Sequence, residues 1–188
     1  MLVGFHGYAE DAGVQLERMR GAGTDWLLLS VQALHVFYRG RSSDVVASWM
    51  TRQNREAAIA DNLAYVSSVV ASAVREFGVT RPIIFAGFSQ GVAMAFRAAC
   101  SSPVAVGGVI ALGGDVPPEL DASALGRIPA ALMGRGARDE WYTAPALEAD
   151  VRRLHAAGCA ARPFEFDGGH EWTDAFSETA AAYLKDCR

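Results

Sequence analysis

The sequence predicts an α/β fold: a single domain on about six mostly parallel strands, with helices on both faces. Three observations predict it. A length of 188 residues fits one domain with one main core. Short apolar runs alternate along the chain with stretches of helical periodicity, the pattern of successive strand–helix units. Most of these runs are apolar throughout, as strands covered by helices on both sides must be. The composition agrees, because 51% apolar and 20% charged residues is globular rather than disordered.

The expected strands, in order, are "MLVGF", "WLLLSVQ", "PIIFA", "VGGVIAL", "IPAALMG" and "ARPFEF". The clearest helix runs from about Glu56 to Phe77. Its residues Ile59, Leu63, Val66, Val70, Val74 and Phe77 recur three or four apart and form one apolar stripe, and Gly78 stops it. A second helix starts near Thr143, a suitable N-cap, with Pro145 in its first turn and Leu147, Val151 and Leu154 facing inward. A last helix is expected from Glu171 to Lys185. The least regular region is Ala33 to Asn54, a long connection of the kind that carries function or moves. Its Phe37, Tyr38, Trp49 and Met50 either wall a pocket or cover the sheet edge.

Charge and composition exclude several classes. A net charge of −4 and a pI near 5.5 argue against a nucleic-acid or anionic-membrane surface, which reward basic patches. No wholly apolar run approaches the roughly 20 residues of a bilayer span. The start "MLVGFHGYAED" lacks the basic region and cleavage site of a signal peptide. Cys100, Cys159 and Cys187 are odd in number and widely separated, which reads as free thiols in a reducing cytoplasm, with no metal-like spacing.

One motif carries chemistry. Gly87-Phe88-Ser89-Gln90-Gly91 fits G-x-S-x-G, between the strand "PIIFA" and an alanine-rich helical stretch. At such a turn, side chains flanking the serine would collide with the strand or the helix, so glycine is used. The turn lifts the Ser89 hydroxyl above the sheet and aims the Gln90 N–H at a developing oxyanion. The bland alternative is an ordinary strand-to-helix turn.

A serine nucleophile needs a base, and the base an orienting carboxylate. Of four histidines, His170 in "DGGHEW" combines late chain order, a glycine-rich loop and the end of a strand. His155 falls on a helix surface, His35 ends a strand run, and His6 belongs to the early "HG" loop. The acid should lie between serine and base. Asp139 in "MGRGARDEWY" is preferred, and Asp115 in "ALGGD" is the rival. Glu140 would point elsewhere, and Asp167 is too close to His170 in sequence. A second oxyanion donor is expected from the loop after the first strand, where Gly7 permits a sharp turn and Tyr8 offers its backbone N–H or its phenol.

Together, His6-Gly7, "GFSQG", Asp139 and His170 resemble the α/β-hydrolase superfamily, over nearly the whole chain. The closest branch is the small carboxylesterase/lysophospholipase group that includes the acyl-protein thioesterases. The resemblance implies one α/β-hydrolase domain over residues 1–188, apparently without the strands that usually precede the HG strand. It implies hydrolysis of a small carboxylic ester or thioester through an acyl-enzyme on Ser89, with no metal or organic cofactor. Val92 where a second glycine is usual, and "HGYAED" where "HGLGD" is usual, set the chain apart from the lipid and protein-thioester enzymes. Trp141, Tyr142 and Trp172 follow the acid and base and are candidates to line the substrate pocket. Aromatic walls without an obvious basic clamp favour a neutral ester; Arg39, Arg41, Arg135 and Arg138 are the cations weighed for an anionic one. The expected partner is a small-molecule ester, with a homodimer left open. The competing classes are a non-catalytic ligand-binding protein on the same fold and a peptidase or C–C hydrolase using the same residues.

Overall fold

In the computed structural model, which describes residues 1–22 and 25–187, eight strands and six helices follow one another. The order is β1 (Leu2–Phe5), α1 (Ala12–Met19), β2 (Leu28–Val31), β3 (His35–Tyr38), β4 (Val45–Ser48), α2 (Arg55–Glu76), β5 (Ile83–Phe88) and α3 (Gln90–Ser101). Then come β6 (Val106–Leu112), α4 (Ala122–Leu125), β7 (Ala130–Gly136), α5 (Ala144–Ala156), β8 (Ala160–Phe166) and α6 (Asp174–Asp186). Six strands form one sheet in the order β2-β1-β5-β6-β7-β8, and every pairing in it is parallel. All six are the strands expected from the apolar runs.

Alternation along the strands divides the core in two. Val3, Phe5, Ile83, Phe85, Val109, Ala111, Ala131 and Met133 face α2, α3 and α5. Leu2, Ile84, Ala86, Phe88, Ile110, Leu112 and Leu132 face α1 and α6, where they meet Met19, Phe176, Ala180, Tyr183 and Leu184. The helices therefore cover both faces, as both-sided apolar strands require.

Three expectations need correction. The irregular region 33–54 contains an antiparallel hairpin, β3–β4, which is tied to the HG loop by Ala9 N–H to Ala47 O (3.0 Å) and Ala47 N–H to Glu10 O (2.8 Å). The buried stripe of α2 is rotated from the expected one: it runs through Ala58, Asn62, Val66, Val70 and Ala73, and Phe77 is exposed. Asn62 is tolerated there because its amide donates to Trp49 O and Ala58 O. The last helix starts at Asp174, where Thr173 caps it by accepting from the Phe176 N–H. By length and composition α2 meets the requirements of a membrane span. In the structure its Val66 and Val70 belong to the core shared with β5 and α3.

Cys100, Cys159 and Cys187 are free. Burial pushes the Cys100 and Cys159 thiols up to about 11, so neither is a nucleophile at neutral pH.

Candidate active site

The carboxyl ends of β1, β5, β6, β7 and β8 lie side by side, and the loops leaving them converge. The β5 strand ends at Phe88, and Ser89 occupies the turn with φ 53° and ψ −119°, a conformation L-residues rarely adopt. The turn is held by Ser89 N–H donating to Leu112 O at 2.8 Å. Gly87 and Gly91 are needed for closeness: a Cβ on Gly87 would overlap the Gly91 carbonyl, and one on Gly91 would overlap the carbonyl of Phe5. Helix α3 thus starts against the end of β1.

His170 comes from the β8–α6 loop. Its Nε2 lies 2.8 Å from Ser89 Oγ and its Nδ1 lies 2.8 Å from Asp139 Oδ2. The Asp139 carboxylate is buried, and its other oxygen accepts from the N–H groups of Trp141 (2.8 Å) and Tyr142 (3.0 Å). These bonds fix the carboxylate with Oδ2 turned toward the imidazole. The two loops are also joined directly, through Ala137 N–H to Phe166 O and Arg138 N–H to Gly168 O, each 2.8 Å. Gly113 sits under the pair with φ +67°; a Cβ there would lie 3.0 Å from His170 Cε1 and 3.4 Å from Asp139 Oδ2.

Asp115, the rival acid, lines the same cleft but makes no bond to His170 among the described residues. Burial raises its carboxyl above the usual range. Glu140 is exposed, and Asp167 pairs with Arg138 on the surface. His155 is exposed and bonded to Ala161 O, and His35 lines a separate hollow with Thr51 and Gln53.

The HG loop abuts the serine turn and is internally braced. Glu10 accepts from the Gly7 N–H at 2.8 Å and from Arg18 at 2.6 and 2.7 Å. Burial works to raise the Glu10 carboxyl, but the Arg18 hydrogen bonds and charge outweigh it and hold the group below its usual range. The Arg18 guanidinium lies 4.2 Å from the centre of the Phe88 ring. Neither Tyr8 nor Gln90 donates its backbone N–H in a turn or cap hydrogen bond among the described residues. The Tyr8 ring stacks on Phe37 at 5.5 Å and is 62% exposed, which commits the phenol to the hairpin.

The Gln90 side chain has a role that the motif did not reveal. Its Oε1 accepts from Trp49 N–H (2.8 Å) and Ser48 Oγ (3.2 Å), and its Nε2 donates to Met50 O (3.2 Å). It fastens the end of β4 beside the nucleophile.

The cleft over Ser89 and His170 has a volume of about 360 Å³. Of the aromatic residues expected to line it, Trp141 does, as does Tyr142. The other candidates lie elsewhere. Trp49 is 1% exposed, with its indole donating to His6 O and packed on Phe5, so it locks the hairpin into the core. Trp172 packs against Phe88 and Phe176 behind His170. Phe37 is occupied by Tyr8, and Tyr38 points outward from the hairpin at 67% exposure.

None of the four arginines weighed as anion partners lines the cleft: Arg135 is buried against Glu165, Arg138 pairs with Asp167, Arg39 donates to Ala9 O, and Arg41 is on the surface. Two other arginines do line it, Arg55 and Arg97. Arg97 was legible in principle. Ala93 and Arg97 are four apart on α3 and share one face, and both line the cleft with Ser89, the residue that precedes the helix. Arg55 comes from a distant segment and carries no such signal. Among the described residues no group of three or more His, Cys, Asp or Glu is arranged to hold a metal ion.

Comparison with known proteins agrees with this architecture. Residues 43–134 match the phospholipase/carboxylesterase family model. No curated protein matches the chain. Among solved structures, SOBER1 from Arabidopsis thaliana superposes with a TM-score of 0.78 at 18% identity, over 99% of this chain and 97% of that one. The carboxylesterase of Bacillus cereus gives 0.80 at 17% identity, covering 100% and 88%. The carboxylesterase of Mesorhizobium loti gives 0.81 at 20%, covering 98% and 87%. At these identities the likeness establishes the fold.

Proposed function

We propose, on the premise that the chain is an α/β-hydrolase of the carboxylesterase type, that it hydrolyses a small carboxylic ester, or thioester, through an acyl-enzyme on Ser89. The observation that supports this most is the unbroken chain from Asp139 through His170 to Ser89, with both links at 2.8 Å.

Ser89 Oγ attacks the carbonyl carbon while His170 Nε2 takes its proton. Asp139 holds the imidazole with its other proton on Nδ1 and stabilises the imidazolium as it forms. The backbone N–H groups of Gln90 and Tyr8 receive the oxyanion; losing one such donor typically costs about 3–4 kcal/mol of barrier. His170 then returns the proton to the leaving group. Water enters and bonds to the acyl carbon as it gives a proton to His170, which returns that proton to Ser89 Oγ as the acid leaves. No step calls on a metal or organic cofactor. A cleft of about 360 Å³ suits short acyl groups.

The test is intact-mass spectrometry after treatment with a fluorophosphonate, followed by tryptic mapping. One adduct on Ser89, absent in Ser89→Ala, is the expected result, with Ser89→Ala folded and without turnover on a panel of esters, thioesters and amides. No adduct on folded protein, or unchanged turnover by Ser89→Ala, overturns the reading and leaves a ligand-binding protein on this fold.

A further inference from the structure

The cleft is polarised away from the nucleophile. Beyond Ser89 its floor follows α3 through Gln90 and Ala93 to Arg97. Arg97 lies eight residues past Ser89, about 12 Å along the helix, and helical side chains lean back toward the N-terminus. Its side chain is 3% exposed, and Nε and Nη2 donate to Glu119 Oε1 at 2.8 and 2.6 Å. Among the described residues Nη1 donates to nothing, although it is not sealed from solvent. Arg55, at the first position of α2, lines the same end of the cleft and lies close enough to repel Arg97 electrostatically. It is exposed and makes no hydrogen bond or ion pair among the described residues. Two guanidiniums therefore face one carboxylate, that of Glu119.

The other cleft carboxylate does not cancel this excess. Asp115 is near enough to Tyr142 and Asp150 to repel their ionised forms, and among the described residues it makes no hydrogen bond or ion pair with Arg55 or Arg97, whose one carboxylate partner is Glu119 on Arg97. A structural ion pair alone would need Arg97 and Glu119; it would not need a second, unpaired arginine at the same mouth.

From this juxtaposition, and resting on the esterase reading of Ser89, we infer that Arg55 and Arg97 form an anion subsite that selects esters carrying a carboxylate on a short spacer from the scissile carbonyl. The free Arg97 Nη1 supplies a charge-assisted hydrogen bond, and Arg55 closes over the anion from the α2 side. Ser89 and His170 lie at the other end, so the spacer follows Gln90 and Ala93. This reverses the preference for a neutral ester expected from the sequence.

The test compares two pairs of substrates differing in one group. Mono-4-nitrophenyl adipate and 4-nitrophenyl hexanoate carry the charge, or a methyl, on the acyl side. The 6-acetyloxyhexanoate anion and hexyl acetate carry it on the alcohol side. In at least one pair, kcat/KM for the anion should exceed that of its neutral partner by about tenfold. That preference should fall toward unity in Arg55→Gln, with the anion losing far more kcat/KM than its neutral partner, and should weaken in 0.5 M salt. Arg97→Gln should do the same if it folds; Arg55 is exposed, so its variant decides the matter regardless. Equal kcat/KM in both pairs, or a preference that survives Arg55→Gln, overturns the subsite while leaving the esterase reading intact. Should turnover be absent altogether, calorimetry separates the two readings. Binding of monomethyl adipate to Ser89→Ala that weakens about tenfold on adding Arg55→Gln keeps the subsite; no binding, or binding indifferent to Arg55, rejects it.

Discussion

His170 is held at both ring nitrogens, 2.8 Å from Asp139 on one side and 2.8 Å from Ser89 on the other, and that geometry favours Asp139 over Asp115 as the proposed acid. Asp139→Asn would keep the shape but present an amide where the imidazole N–H needs an acceptor, favouring the wrong tautomer. Its kcat should fall roughly 10³- to 10⁴-fold. Asp115→Asn removes a carboxylate that makes no bond to His170 and should leave kcat on a neutral ester within about threefold, the ordinary effect of a change outside the hydrogen-bonded unit. Stopped-assay kinetics on 4-nitrophenyl hexanoate check both; the reverse ranking would transfer the role to Asp115. Chain order favoured Asp139 from the sequence but could not decide, because both aspartates follow a strand. What separates them is the loop after β7, which turns Asp139 back beneath the imidazole through Asp139 N–H to Gly136 O at 3.0 Å. Gly113 shows the same limit. Nothing in "ALGGD" sets it apart, and only the assembled site shows that it makes room for the imidazole.

At the scale of elements, legibility follows burial. Most of the six sheet strands were readable because they are dense apolar runs, and β8, with Arg162 and Glu165, is read from Phe164 and Phe166 in alternation. The hairpin was not: β3 and β4 have four residues each, β3 has no buried position, and β4 buries Val46, Ala47 and Ser48 in succession, a run too short and mixed to stand out. The hairpin is defined by contacts distant in sequence, chiefly those of Gln90 with Ser48, Trp49 and Met50. For the same reason Trp49 and Trp172 could be named as aromatic residues near the site but not placed in it. Gln90→Leu keeps the volume and the backbone N–H while removing the side-chain bonds, leaving the Trp49 N–H without a partner. Stability should drop by about 1–3 kcal/mol, and the amides of Val45 to Trp49 should exchange faster. Hydrogen-exchange mass spectrometry checks this; unchanged hairpin protection would mean that Gln90 does not anchor it.

The whole molecule places the proposed oxyanion loop under the control of one buried histidine. His6 is fully buried between β1 and the hairpin, 5.2 Å from the Trp49 ring. Its Nε2 accepts from the Ala33 N–H at 3.1 Å, and its Nδ1 donates to Gly7 O at 2.7 Å, so the ring is neutral with its proton on Nδ1. Burial, partly opposed by the Gly7 bond and the nearby Glu10 and Asp11, lowers its pKa below 6.5. For a base with a depressed folded-state pKa, the unfolded chain takes up the proton first as pH falls. Its stabilising contribution is therefore complete above pH 6.5 and is lost between 6.5 and the lower folded-state value, at no more than about 1.4 kcal/mol per pH unit. Protonation also turns Nε2 into a donor facing the Ala33 N–H, which loosens the connection between the HG loop and the hairpin. Urea unfolding at pH 7.5 and 5.5 should show this loss in the native protein. In His6→Gln, which cannot titrate, stability should be lower at pH 7.5 but should fall less between the two pH values. A variant whose stability falls with acid as steeply as the native protein's would place the acid sensitivity in other groups and remove His6 from its control.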